Sequence, residues 1–123
     1  MICLDTNYLI LGLSAGTHEA RQLIAWTEAG EALITPMLAW FEFRCGPVTP
    51  AQILTMRAFL QDVMIFDEPQ VIEAARLFNA VGRRRTLRVD AMIASSAIVA
   101  GAPLATNNRE HFAAFAPHGL RLI

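Results

Sequence analysis

The stretch that decides the fold is MICLDTN, residues 1–7. Three apolar residues, Ile2 to Leu4, run directly into an acid, Asp5, which Thr6 and Asn7 follow. The apolar run predicts a short buried strand, and a helix is expected to begin straight after it. An Asp between a strand and a helix is most simply an N-cap, so Asp5 alone does not indicate catalysis.

Short apolar segments alternate with helical segments along the rest of the chain, without an internal repeat or an interdomain linker. This order predicts one α/β domain, residues 1–123, with a central parallel sheet of four to five strands and helices on both faces. Strands are expected at Ile2–Leu4, Ala32–Ile34, Val63–Phe66 and Pro103–Ala105, with a fifth candidate at Arg121–Ile123. Helices are expected at Thr6–Leu13, Thr17–Ala29, Pro36–Cys45, Pro50–Leu60, Pro69–Gly82 and Val89–Ala100.

The composition predicts a sizeable core and some surplus apolar surface. Apolar residues make up 54% of the 123 positions and the mean hydropathy is +0.40, so a homodimer or partner interface is expected. The longest low-charge run, residues 91–106, is shorter than the roughly 20 residues of a spanning helix. Asp5 interrupts the N-terminal apolar run, so no signal peptide is expected. The prediction is a soluble cytoplasmic protein with no membrane partner, in which Cys3 and Cys45 are reduced core residues.

The basic residues are unevenly distributed. The net charge is −1 and all ten basic residues are Arg, and four of them lie close together: Arg83, Arg84, Arg85 and Arg88. A solvated helix end, where cations complement the helix dipole, explains such a cluster. A phosphate-binding patch explains it as well, because Arg suits bidentate phosphate contacts.

Two further acids stand where packing would not place them. In MLAWFEFRC (residues 37–45), Glu42 shares the spacing i, i+3, i+4, i+7 with Leu38, Phe41 and Cys45, which predicts a carboxylate within an apolar stripe. A salt bridge to an Arg is the structural alternative for Glu42. Asp90 begins the apolar helix VDAMIASSAIVA, where a favourable charge at a helix N-terminus is the structural alternative.

The three acids lie in separate segments that a parallel sheet brings towards the carboxyl ends of its strands, where ligands bind in such folds. Converging carboxylates repel each other, so a cation is expected between them. With oxygen ligands and no Lys, Mg²⁺ or Mn²⁺ fits best. Zinc fits poorly, because the two Cys and three His have no paired ligand spacing.

Four blocks of sequence resemble the PIN domain family, and more narrowly the VapC-type toxins of bacterial toxin–antitoxin operons. LDTNYLI resembles the family's first strand and first acid, Asp5. TPMLAWFEFRCG resembles the second block, with its acid at Glu42, and RVDAMIASSA the third, with its acid at Asp90. LATNNREHF resembles the last block, which places Thr106 and Asn108 at the site.

The resemblance implies a Rossmann-like sheet, a homodimer, a cognate antitoxin partner and metal-dependent cleavage of RNA. It also implies that Asp5, Glu42 and Asp90 are the acids of the site and that Thr106 and Asn108 lie beside them. On that basis the expected roles are as follows: Asp5, Glu42 and Asp90 as metal ligands and, with Asn108, as catalytic residues; Thr106, Asn7 and Thr6 as residues that orient water or substrate; Arg83, Arg84, Arg85 and Arg88 as RNA contacts, because this cluster lies shortly before Asp90. Many relatives have a fourth acid where Asn108 stands, which leaves open whether one or two metal ions bind.

Residues near these blocks have simpler expected roles. His111 is expected to be structural and Phe112 a packing anchor. Spare apolar residues are candidates for a groove that binds the antitoxin: Met37, Trp40, Phe41, Met56 and Leu60.

Three other classes of function compete with a ribonuclease. A phospho-acceptor receiver domain needs a Lys at a later strand end, and the chain has none. A haloacid-dehalogenase-type phosphatase needs a second Asp where Asn7 stands, and also a Lys. A catalytically weak PIN fold that binds RNA or protein is the remaining alternative, favoured only by Asn108.

Overall fold

A computed structural model describes all residues, 1–123. It contains four strands: β1 (Ile2–Leu4), β2 (Leu33–Pro36), β3 (Asp62–Met64) and β4 (Leu104–Ala105). Seven α-helices surround them: α1 (Thr6–Leu11), α2 (His18–Glu28), α3 (Met37–Cys45), α4 (Pro50–Phe59), α5 (Glu68–Ala80), α6 (Arg88–Ala100) and α7 (Arg109–Phe112). Two 3-10 segments, Arg85–Leu87 and Ala113–His118, complete the chain.

The strands form one parallel sheet in the order β3-β2-β1-β4. The predicted α/β class and parallel sheet are therefore confirmed. The fifth candidate strand is reduced to a single bridge between Leu104 and Leu122. The chain runs outward from β1 through β2 to β3 and then returns to the other side of β1, so the topological switch lies between β1 and β4, where this class of fold forms its ligand sites.

The sheet separates two apolar clusters, because successive side chains of a strand point to opposite faces. Ile2 and Leu4 pack with α1 to α4, in a cluster that includes Leu23, Phe43 and Met56. Cys3 lies on the opposite face, with residues of α5, α6 and α7 such as Leu77, Ala94 and Phe112. Phe112 is fully buried, which confirms its role as a packing anchor.

Helix α3 differs from its prediction. Its buried residues are Ala39, Trp40 and Phe43, whereas Phe41 is 63% exposed and lies outside the core. The predicted apolar stripe through Glu42 is therefore wrong. Because apolar residues occupy nearly the whole circumference of this helix, spacing alone could not identify the face that packs on β2.

Two smaller expectations also change. Met56 and Leu60 are core residues and Trp40 is only 9% exposed, so Met37 and Phe41 are the exposed members of the predicted groove. Cys3 is buried as expected, but Cys45 is exposed, and both are free thiols. None of the helices combines the length and the apolar character needed to cross a bilayer.

Candidate active site

An acidic cleft lies at the carboxyl end of the sheet, between the two helical layers. It has a volume of about 300 Å³ and is lined by Asp5, Thr6, Asn7, Glu42, Val89, Asp90, Ile93 and Asn108. The first four come from the β1–α1 junction and α3, and the other four come from α6 and the loop after β4. The structure thus brings together the three predicted acids, which are far apart in the sequence.

Asp5 is at the centre of this site and has both carboxylate oxygens occupied. Oδ1 accepts a hydrogen bond of 2.8 Å from the backbone N–H of Thr6, which makes Asp5 the N-cap of α1. Oδ2 accepts one of 2.7 Å from the Thr106 hydroxyl, which joins the ends of β1 and β4 across the topological switch. Burial raises the pKa of Asp5, and the hydrogen bonds from Thr106 and Thr6 oppose that shift.

Glu42 projects from α3 into the same cleft. The Thr6 hydroxyl donates a hydrogen bond of 3.1 Å to its Oε1. No Arg pairs with Glu42, so the salt bridge that was its structural alternative is not formed. Partial burial raises the pKa of Glu42, and repulsion from Asp5 and Asp90 adds to the shift. Thr6 therefore connects two acids, because its N–H contacts Asp5 and its hydroxyl contacts Glu42.

Asp90 lies in the first turn of α6, and its Oδ2 is 3.2 Å from Nδ1 of His111. Burial raises the pKa of Asp90, the hydrogen bond and charge of His111 lower it, and Asp5 raises it. The contact with His111 is the feature that the sequence did not predict. Helix α7 places His111 one turn after Asn108, a signal that becomes visible only when Arg109–Phe112 is recognised as helical.

The residues with predicted orienting roles differ in what they contact. Thr106 is buried, and its Oγ1 also accepts a hydrogen bond of 3.0 Å from the Asn108 N–H, so its hydroxyl acts on Asp5 and on the backbone of the last loop. The Asn7 and Asn108 side chains line the cleft and make no hydrogen bond within the chain. They are the uncharged polar groups free to meet a ligand there.

The Arg cluster lies outside the cleft lining. The guanidinium groups of Arg83 and Arg88 lie over the ring of Phe78, at 5.8 Å and 5.5 Å from its centroid. Arg83 has a left-handed backbone (φ 59°) and also donates a hydrogen bond of 2.7 Å to Asn79. Arg84 and Arg85 belong to the exposed α5–α6 connection, and the Arg85 side chain makes no intramolecular hydrogen bond.

The donor set of the cleft is suited to a hard cation. Three carboxylates face one volume, none of the lining side chains is basic, and each acid has a raised pKa that a nearby positive charge would reverse. No three Asp, Glu, His or Cys side chains are grouped closely enough to form a ready-made metal site. The acids share a cleft rather than a preformed ligand shell.

The chain belongs to the PIN domain family, since the family's sequence model matches residues 2–116. No curated protein sequence matches it.

Several solved structures are similar in fold. The crystal structure of VapBC2 from Rickettsia felis bound to a DNA fragment from their promoter contains a chain with 18% identity and a TM-score of 0.80, covering 100% of this chain and 98% of that chain. DNA-bound VapBC from Salmonella typhimurium has 20% identity, a TM-score of 0.76 and coverages of 99% and 96%. FitAcB from Neisseria gonorrhoeae has 19% identity, a TM-score of 0.75 and coverages of 100% and 96%.

Proposed function

We propose that this chain is a Mg²⁺-dependent endoribonuclease and the toxin of a type II VapBC-like toxin–antitoxin system, acting in the cytoplasm. The observation that carries the proposal is the convergence of Asp5, Glu42 and Asp90 on one cleft at the topological switch, in a chain of the PIN domain family. The reaction is hydrolysis of an RNA phosphodiester bond.

Asp5, Glu42 and Asp90 would hold the cation, directly or through its waters, and Mn²⁺ fits the same oxygen donors. When bound, such a cation neutralises charge on the phosphate and lowers the pKa of water in the cleft. The chain's own residues orient the acids: Thr106 holds Asp5, and Thr6 holds Asp5 and Glu42. One carboxylate oxygen left free by the cation accepts the proton of the attacking water.

Asn7 and Asn108 complete the proposed site as neutral hydrogen-bonding groups. Asn108 brings an amide oxygen but no charge, so three carboxylates balance the cation instead of four. This charge count supports a single Mg²⁺ before RNA contributes a phosphate oxygen.

The proposed partners are an antitoxin and a second copy of the chain. A cleft of about 540 Å³ on α3 and α4 is lined by Trp40, Ile53 and Leu54 and flanked by Arg44 and Arg57. Leu54 and the nearby Phe41 are strongly exposed. An apolar surface flanked by two arginines is suited to binding an amphipathic, acidic segment of an antitoxin.

The homodimer is proposed from a second surface. Ile65 and Ile72, which flank the start of α5, are 70% and 63% exposed. Between α5 and α6 lies an apolar groove of about 290 Å³, whose lining includes Val71, Phe78 and Met92. A second copy that covers this face would remove the surplus apolar surface from water.

The test is cleavage of total RNA by the purified chain, free of any partner protein, in Mg²⁺. Cleavage is expected with wild type and with Asp62→Asn, a matched acid on β3 outside the cleft. It is expected to stop in EDTA and in Asp5→Asn prepared in the same way. Cleavage that persists in EDTA or in Asp5→Asn contradicts the metal site, and binding of RNA without any cleavage favours the catalytically weak PIN module.

A further inference from the structure

The three acids of the cleft share a pattern of support. The Thr106 hydroxyl holds Asp5 at 2.7 Å, and the Thr6 hydroxyl holds Glu42 at 3.1 Å. Asp90 makes one side-chain hydrogen bond, and its partner is His111. His111 therefore occupies, for the third acid, the place that a threonine hydroxyl occupies for each of the other two.

The position of His111 is set independently of its ring. Helix α7 is anchored by Phe112, which is fully buried in the core and whose N–H donates to the Asn108 carbonyl at 3.3 Å. Asn108 is tied in turn to Thr106. The His111 side chain is 51% exposed and contributes little to the core, so its specific contact is the hydrogen bond with Asp90.

The chemistry of the contact favours a donor role for the ring. A carboxylate only accepts hydrogen bonds, so Nδ1 carries the proton in this pair. Both the neutral tautomer with a proton on Nδ1 and the imidazolium can donate it, and the bond does not depend on which of them is present. Held through Oδ2, Asp90 keeps Oδ1 without a partner and available to the cleft.

We propose that His111 is a positioning residue for Asp90, fixing the rotamer in which this acid presents Oδ1 to a divalent cation. The inference rests on the proposed function, because it assigns a supporting group to one of the proposed metal ligands. Donors of this kind around a metal site typically change metal affinity or activity by about 10- to 100-fold when they are removed.

The test uses pairs of variants that separate the two ring nitrogens. The Asn amide nitrogen lies close to where Nδ1 of His lies, and the Gln amide nitrogen lies closer to Nε2. Binding of Mn²⁺ to the full chain is measured by electron paramagnetic resonance for wild type, His111→Asn, His111→Gln and His111→Ala. His118→Ala is the matched control, since His118 lies in the 3-10 segment after α7 and its side chain makes no hydrogen bond.

The expected result is affinity close to wild type for His111→Asn and His118→Ala, and affinity about 10-fold weaker for His111→Gln and His111→Ala. The thermal midpoint of the metal-free variants is expected to stay unchanged, which a structural role for the ring would not allow. Two results would overturn the inference: equal affinity in all variants, or a loss of affinity in His111→Asn as large as in His111→Ala. Both would leave the proposed function standing. Wild type that binds no Mn²⁺ overturns both.

Discussion

At the scale of single residues, Asp5 combines two roles that the sequence presented as alternatives. It is the N-cap of α1 through Oδ1, and it is a buried acid of the cleft, joined to Thr106, through Oδ2. The cap orients the carboxylate, and burial keeps its charge poorly solvated. An N-cap at the end of β1 is therefore also a way of holding a carboxylate at the topological switch.

Thr106 is expected to be needed for stability as well as activity. In Thr106→Val, Asp5 loses a buried donor and the Asn108 N–H loses its acceptor, so the free energy of unfolding should fall by about 1.5–3 kcal/mol. RNA cleavage should fall as well, because Asp5 is released. Urea unfolding at pH 7 and the cleavage assay measure the two effects. Thr106→Ser keeps the hydroxyl and should lie near wild type; equal losses in the Val and Ser variants would contradict this role.

At the scale of elements, the sequence identified all four strands and six of the seven α-helices, because strands and amphipathic helices alternate in it. The prediction failed where the local sequence pattern carries no information about the segments that pair or pack with an element. Strand β2 extends to Pro36, two residues beyond its prediction, because Thr35 and Pro36 pair with β3. Helix α7 was missed because its four residues are anchored by the burial of Phe112 and not by any periodicity.

The candidate site was predictable in its residues and less so in its contacts. Strand ends and helix starts placed Asp5 and Asp90 near one edge of the sheet. Glu42 was singled out from a predicted apolar stripe that the structure does not contain, and it reaches the cleft although the buried face of α3 is formed by Ala39, Trp40 and Phe43. Contacts such as the one between His111 and Asp90 depend on tertiary placement that no single segment encodes.

Helices α5 and α6 are joined by a buried side-chain hydrogen bond, and its contribution to stability can be tested directly. Ser96 on α6 donates its hydroxyl to the Gln70 side-chain oxygen, and both residues are almost fully buried. Ser96→Ala leaves the Gln70 oxygen without a donor and should cost about 1–3 kcal/mol of unfolding free energy.

The adjacent Ser95 is the matched control for this prediction. It is also buried, but its hydroxyl donates only to the Met92 carbonyl of the same helix. Ser95→Ala should therefore change stability much less, and Ala is the better helix former. Urea unfolding of the two variants is the measurement. Equal losses would show that the contact between α5 and α6 contributes nothing beyond the burial of a serine.

The connection between α5 and α6 determines which arginines are free of aromatic contacts, and the proposed function assigns those arginines to RNA binding. Arg83 and Arg88 lie over Phe78, whereas Arg84 and Arg85 project from the exposed turn. The double variant Arg84→Gln/Arg85→Gln should weaken binding to single-stranded RNA. The slope of log K against log salt should decrease by about 0.7 for each RNA phosphate that an arginine no longer neutralises.

Fluorescence anisotropy with a labelled single-stranded RNA, in EDTA over a series of KCl concentrations, measures that slope. The control is Arg21→Gln/Arg121→Gln, which removes the same charge from α2 and from the C-terminal segment, where these arginines bind backbone carbonyls. A slope that changes equally in both double variants would mean that the effect reflects net charge and not the α5–α6 connection.

At the scale of the whole molecule, the two apolar layers stabilise the fold and the acidic cleft between them works against it. Burial raises the pKa values of all three acids, and repulsion from neighbouring carboxylates adds to the shift for Glu42 and Asp90. A carboxyl whose pKa is raised by folding binds more protons in the folded than in the unfolded state. The stability it contributes is present below the ordinary carboxyl pKa of about 4 and is lost as pH rises through the folded value.

A variant with fewer acids in the cleft separates this contribution from other carboxyls. Glu73, for example, has a pKa lowered by its hydrogen bond with Arg76, so its stabilisation is instead lost as pH falls. In Glu42→Gln/Asp90→Asn two of the three cleft charges are absent. Relative to wild type without metal, this variant should gain unfolding free energy progressively from about pH 4 to neutral pH.

Under the proposed function a divalent cation should reverse that difference, because the proposed site would bind it through the ionised carboxylates of the folded state. At a free Mn²⁺ concentration 100 times Kd, wild type should gain about 2.7 kcal/mol near neutral pH, and little at acid pH, where protonated carboxyls do not ligate. The double variant should gain little at either pH. The measurement is urea unfolding of wild type and of the double variant at acid and neutral pH, in EDTA and in Mn²⁺. If wild type and variant have the same pH profile without metal, the cleft acids do not strain the fold, and equal Mn²⁺ stabilisation of both would place the cation elsewhere.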